Sequence, residues 1–202
     1  MASTKGSSIG RPRGFDVDEA LQRAMLVFWE QGYEGASLTD LTEAMGINRT
    51  SMYAAFGNKE QLFHAALQRY IDGPASYLTR ALNEPTARQV AEAFLTGSVH
   101  ATTRPGEPHG CLAVQGSLAA GDSGRAARDV LASCREQSWA LLRDRFARSV
   151  DEGDLAPDAD PGLLARFILT VSNGIAVQAA SGVGRDELQC VADGATRQWP
   201  PV

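Results

Sequence analysis

From Ser37 to Lys59 the sequence SLTDLTEAMGINRTSMYAAFGNK holds two short helical periods on either side of a single glycine. No strand or unbroken helix accommodates that punctuation. Leu38, Leu41, Ala44 and Met45 recur at helical spacing, which sets four apolar side chains on one face. Ser37 suits an N-cap, and Asp40 follows where a carboxylate meets the free amides of a first turn. Gly46 offers the left-handed residue that ends a helix, and Asn48 is placed to cap the next, roughly Arg49 to Phe56. Asn58 then caps a further helix whose first residue is Lys59. The spacing predicts a helix, a tight turn and a helix, pinned to a third.

The second of these helices divides its residues by size and polarity. Ile47, Met52 and Phe56 can face inward, leaving Arg49, Thr50, Ser51 and Tyr53 outside. At about 1.5 Å per residue it is roughly 12 Å long, and the major groove of B-DNA is about 12 Å wide. At Lys59 the ammonium and the positive end of the helix dipole both favour a phosphate. Spacing alone leaves two readings open: a helical hairpin with no nucleic-acid role, and an element that enters DNA.

The longer string GYEGASLTDLTEAMGINRTSMYAAFGNKEQLF, Gly32 to Phe63, resembles the DNA-binding domain of the tetracycline-repressor (TetR) family of bacterial transcriptional regulators. The resemblance rests on the Gly-Tyr that ends the first helix, the Ser-Leu opening the second, the Gly-Ile-Asn turn, the Tyr of the recognition helix and the Phe-Gly-Asn-Lys-Glu junction. It implies an all-α chain of about nine helices, a three-helix helix-turn-helix domain followed by a larger helical ligand-binding and dimerisation domain. It further implies a homodimer that represses from a near-palindromic double-stranded DNA operator and is released by a small-molecule effector. At matching positions it places Ser37, Thr39, Tyr53 and Lys59 on phosphates and Arg49, Thr50 and Ser51 at base edges, Arg49 suiting a bidentate contact to guanine. The chain departs from the family at Ala36, where Thr is common, and at Ala54-Ala55, where aromatic or His residues often stand. Base contacts from the second half of that helix are correspondingly few.

The 202 residues suffice for one large or two small domains, and the net charge of −5 excludes a uniformly basic nucleic-acid binder. Binding must depend on where cations sit: Lys5, Arg11 and Arg13 free of intervening acid, then Arg49 and Lys59. Met1 to Gly14 reads as an irregular basic arm, either a solvated tail or a segment whose Arg11 and Arg13 follow the DNA backbone or minor groove. No uninterrupted apolar run approaches the ~18 residues of a membrane span, and Met1 to Phe15 lacks the apolar region of a signal peptide. A cytoplasmic protein without a membrane partner is expected. Cys111, Cys134 and Cys190 are odd in number and in no C-x-x-C pair, which argues against a disulfide framework.

Taken in order, residues 1–14 form the arm, 15–58 the helix-turn-helix domain and 59–202 the regulatory and dimerisation domain. The first helix, Asp16 to Gln31, turns Leu21, Ala24, Met25 and Phe28 inward and stops at Gly32. The helix from Lys59 carries Phe63, Ala66, Leu67 and Tyr70 and is broken by Gly73-Pro74. Further helical segments run from about Thr86 to Thr102, Gly110 to Ala120, Gly124 to Glu152, Pro161 to Ser181 and Arg185 to Trp199. The stretch LLARFILTVSNGIAV, Leu163 to Val177, is apolar on more than one face. It belongs either to an intramolecular core or to a two-fold four-helix interface with the last helix, formed by Ile168, Val171, Ile175, Leu188, Val191 and Ala195. The second arrangement is what the family resemblance implies.

The resemblance also implies a ligand cavity, for which Tyr77, Phe94, His100, Trp139, Phe146 and Phe167 are the larger candidate side chains, with Cys111 beside them. Plain core packing is the other reading of each. Cys111 and Cys134 suit small buried hydrophobes; Cys111 also suits a reactive thiol, or a soft-metal site with His109. His64, His100 and His109 stand in no catalytic or nucleotide-binding motif, so neither an enzyme nor a cofactor or metal is expected. The competing class is a helical enzyme or interaction protein that retains a vestigial DNA head.

Overall fold

The computed structural model describes residues 14–118, 124–197 and 199–200, and among them the regular elements are all helices. Arg11 and Arg13 lie outside the described residues. The chain runs α1 (Val17–Gly35), α2 (Leu38–Met45), α3 (Arg49–Phe56), α4 (Lys59–Asp72), α5 (Tyr77–Ala81), α6 (Ala87–Thr102), α7 (Leu112–Leu118), α8 (Arg125–Asp151), α9 (Pro161–Ala180) and α10 (Arg185–Arg197).

The first four helices begin where their own side chains say they should. Asp16 accepts from the amides of Asp18 and Glu19, Ser37 and Asp40 form a reciprocal capping box, Asn48 accepts from Ser51, and Asn58 and Gln61 form a second box. Gly46 closes α2 in the left-handed conformation at φ 68°. At Gly57, φ is 75° and a Cβ would lie 1.9 Å from Gln61 Oε1, so any side chain there would break the box that starts α4. The sequence places the end of the first helix at Gly32; the structure breaks the helix there, at φ 71°, and resumes it to Gly35.

Two apolar clusters organise the rest. One joins α1 to α4 with the starts of α7 and α8: Phe28 meets Phe63 edge-on at 5.1 Å, Trp29 meets Tyr70 at 4.8 Å, and Leu112, Ala127 and Leu131 close the cluster. The other joins α5, α6, the second half of α8, α9 and α10 around Phe94, Phe146, Ile168 and Leu188. Burying such side chains is the main favourable term holding helices that are short by themselves. Between the clusters α7 packs against α1, α4, α8 and α9, and the Trp29 Nε1–H donates to the Gly110 carbonyl across 81 residues of sequence.

Among the described residues α9 alone is long and apolar enough to cross a membrane by length and composition. Its apolar surface is built from interrupted runs, and its buried face lies against α6, α8 and α10.

Candidate nucleic-acid interface and interior cavity

The outer face of α3 is free of the protein's own packing. Met52 alone in this helix is fully buried, whereas Arg49, Thr50 and Tyr53 are exposed and Ser51 is half-buried. Arg49 Nη2 donates to Thr39 Oγ1 at 3.1 Å, so the first residue of α3 and an exposed residue of α2 present one polar surface. Ser37, also exposed, keeps its hydroxyl oxygen on the Asp40 amide. Lys59 turns its ammonium over the Tyr33 ring at 4.6 Å, and partial burial lowers its pKa. Its aromatic partner was not foreseen; Gly-Tyr ahead of α2 was the available signal. Ser37 and Thr39 thus stand at the start of α2, Arg49, Thr50 and Ser51 at the start of α3 with Tyr53 a turn further on, and Lys59 at the start of α4.

Between α4, α5, α6, α7, α8 and α9 lies a cavity of about 180 Å³. Tyr77, Phe94 and Cys111 line it, as the sequence suggests. The other four candidates do not. His100 is exposed on α6, and Trp139 lies under the guanidinium groups of Arg143 and Arg166, each 4.8 Å from the ring, while its Nε1–H donates to the Gly162 carbonyl. Phe146 packs in the core against Trp199, and Phe167 lies half-buried on α9, outside the cavity. Size and an aromatic ring cannot say which side of a helix a residue occupies.

The wall also contains groups that sequence reasoning missed: Tyr70 from α4, Ser98 from α6, and Ser172 and Asn173 from α9. Ser98 Oγ and Ser172 Oγ are 2.8 Å apart, both buried. Polar residues inside otherwise apolar helices were the signal. Gly97 has its own part here: a Cβ would lie 2.6 Å from Tyr77 Cβ, so only glycine lets Tyr77 lie this close to α6. Burial raises the Tyr70 and Tyr77 phenols well above their ordinary values, with Cys111 adding to both shifts. Burial also raises the Cys134 thiol. The three cysteines are free, and among the described residues no group of three or more His, Cys, Asp or Glu could hold a metal ion.

The candidate interface residues divide. Ile168, Ile175 and Leu188 are core members of the protomer itself, at most 2% exposed, and correct the expectation that they face a second copy. α9 is apolar on two sides, and periodicity does not tell which side turns inward. Val171 and Ala195 are half-buried, and Val191 is 50% exposed. Leu163 and Val177 on α9 are also large and exposed.

The family model for the bacterial regulatory proteins of the tetR family matches residues 20–66, and that for the tetracyclin repressor-like C-terminal domain matches residues 87–187. The HTH-type transcriptional repressor ComR of Escherichia coli (strain K12) is 33% identical over 198 residues, covering 96% of this chain and 94% of its own length. The HTH-type transcriptional repressor BdcR of the same strain is 27% identical over 95% of this chain and 93% of its own. Among solved structures, a cysteine mutant of the TetR family transcriptional regulator CifR, complexed with 26 bp double-strand operator DNA, is 46% identical. It covers 94% of this chain and 100% of its own, with a TM-score of 0.90.

Proposed function

The chain belongs to the tetR family of bacterial regulatory proteins, DNA-binding transcriptional regulators, and we propose that it is a homodimeric repressor released from a near-palindromic operator by a small-molecule effector. The observation that carries this reading is the exposed polar face of α3, with Arg49 joined to Thr39 and clear of the protein's own core. Arg49, Thr50 and Ser51 read base edges; Ser37, Thr39, Tyr53 and Lys59 hold phosphates, Lys59 leaving the Tyr33 ring to do so. Division of the chain into an arm (1–14), a head (15–58) and a regulatory body (59–202) is part of the proposal, as is a cytoplasmic, non-enzymatic role. Two copies meet through the outer surface of α9 and α10, around Leu163, Val171, Val177 and Val191, which sets the two α3 helices for successive half-sites.

Coupling runs through α4. This helix starts at Asn58 and Lys59 in the head and lines the cavity with Leu67, Tyr70 and Ile71. A ligand that fits the cavity better in one position of α4 than in another shifts the spacing of the heads, and only such differential affinity does so. A second reading, a thiol-reactive effector, is favoured by Cys111 on the same wall; a mass adduct that Cys111→Ser abolishes, together with operator release, would support it.

The test is a titration of DNA from upstream of the protein's own and neighbouring genes at several salt concentrations. Arg49→Ala is expected to relax base preference and cost about 1–3 kcal/mol on the best site. Lys59→Ala should weaken binding to all sequences and lower the salt slope by about one. Parent-like binding by both variants would sink the assignment, and the absence of any specific shift would favour an enzyme or interaction protein with a vestigial head.

A further inference from the structure

We propose that the cavity takes a small uncharged molecule, largely apolar and carrying one hydrogen-bond-accepting oxygen such as a ketone, which is bound by the hydroxyl cluster of Tyr77, Ser98 and Ser172. This rests on the cavity being the effector site and adds the chemical class of the effector. None of the side chains that line it is Asp, Glu, Lys or His. A cationic ligand would find no counter-charge and would lose its hydration for nothing. Arg135 is the one formal charge in the wall; it is half-buried, and its Nη1 donates to the Ala113 carbonyl at 2.8 Å. The buried polar groups are neutral: Ser98 and Ser172 are hydrogen-bonded to each other, and Tyr77, half-buried and packed on Gly97, lines the same cavity.

The Ser98–Ser172 bond uses one of the two serine protons; the other, and the Tyr77 hydroxyl on the same wall, can turn to a ligand oxygen. A phenol is protonated at neutral pH and remains a donor there. The apolar part of the ligand is met by Leu67, Phe94, Val114 and Leu169. Ile71 and Leu141, both large and exposed, also line the cavity, and they mark an apolar approach to it between α4 and α8. A volume of about 180 Å³ suits a molecule the size of a substituted benzene.

Phenylacetone, phenylacetate and isobutylbenzene share one heavy-atom skeleton and differ only in the polar end: a ketone, a carboxylate and a hydrocarbon. Calorimetric titration of each into the full chain separates the possibilities. Phenylacetone is expected to bind at least about tenfold more tightly than either isostere. Tyr77→Phe and Ser172→Ala should each lower its affinity by roughly five- to tenfold while leaving isobutylbenzene unchanged. Phenylacetate binding as tightly as the ketone would overturn the proposal in favour of an anion held by Arg135. Isobutylbenzene matching the ketone would overturn it by removing any role for the hydroxyls. In both cases the cavity would stand as an effector site; no binding by any of the three would overturn that reading as well.

Discussion

The head and the body of this molecule are held in order by different kinds of contact. In the head each helix is started by its own residues: Ser37, Asn48 and Asn58 cap within three positions of themselves, and of the side chains proposed to meet DNA, Ser37, Thr39, Arg49, Thr50 and Tyr53 are exposed. In the body the decisive polar contacts are distant in sequence. Ser98 pairs with Ser172, Arg145 reaches back to the carbonyls of Glu84 and Pro85, and Arg185 holds Thr103. The starts of α5 and α8 have no side-chain cap at all. A surface assembled locally can vary its outer residues without disturbing its frame, whereas a cavity assembled from six helices changes shape when any of them moves. That suits one to a fixed reader and the other to a sensor.

The largest predicted effect breaks a distant contact. Arg145 is 5% exposed, and its guanidinium serves Ser149 and two carbonyls of the α5–α6 connection. Arg145→Ala takes the donor from the buried Ser149 hydroxyl and from two part-buried carbonyls, and should cost about 3 kcal/mol, or roughly 6–12 °C in Tm. A loss as small as that of a surface residue would mean that the body is not organised around such links. A local contact should matter less: Asn48→Ala removes the cap of α3 and is expected to cost about 1 kcal/mol, roughly 2–4 °C, with weaker operator binding as the first turn frays.

These two residues also mark how far the sequence could be followed. Asn48 was legible because its signal, a cap followed by a divided helix, is complete within a few positions. Arg145 was not, since its partners lie about 60 residues away and nothing around it sets it apart from the other arginines of α8. The start of α4 behind its cap Asn58 followed in the same way, whereas the all-helical class came with the family resemblance. The cavity was half visible, with Tyr77, Phe94 and Cys111 expected and Tyr70, Ser98, Ser172 and Gly97 found only by bringing helices together. Ile168 and Ile175 were assigned to the wrong face because α9 is apolar on both.

The smallest effect concerns the surface seam between α1 and α4. Arg69 donates to both oxygens of Asp18, and those hydrogen bonds hold its carboxyl below the usual range. A carboxylate lowered by folding adds stability above about pH 4, which is lost as pH falls through the folded pKa. Asp18→Asn should therefore flatten the acid limb of the Tm–pH curve and leave the neutral region nearly unchanged, because the pair is exposed.

Head and body meet where Trp29 stands edge-on to Tyr70 and donates to Gly110, the residue before Cys111. The proposed coupling through α4 requires this joint to differ between the DNA-bound and free proteins. Trp29 emission, isolated in a Trp139→Phe, Trp199→Phe background, measures it most directly. Saturating operator DNA should shift that emission although Trp29 is buried away from the outer face of α3. An unchanged spectrum at full DNA occupancy would contradict the coupling.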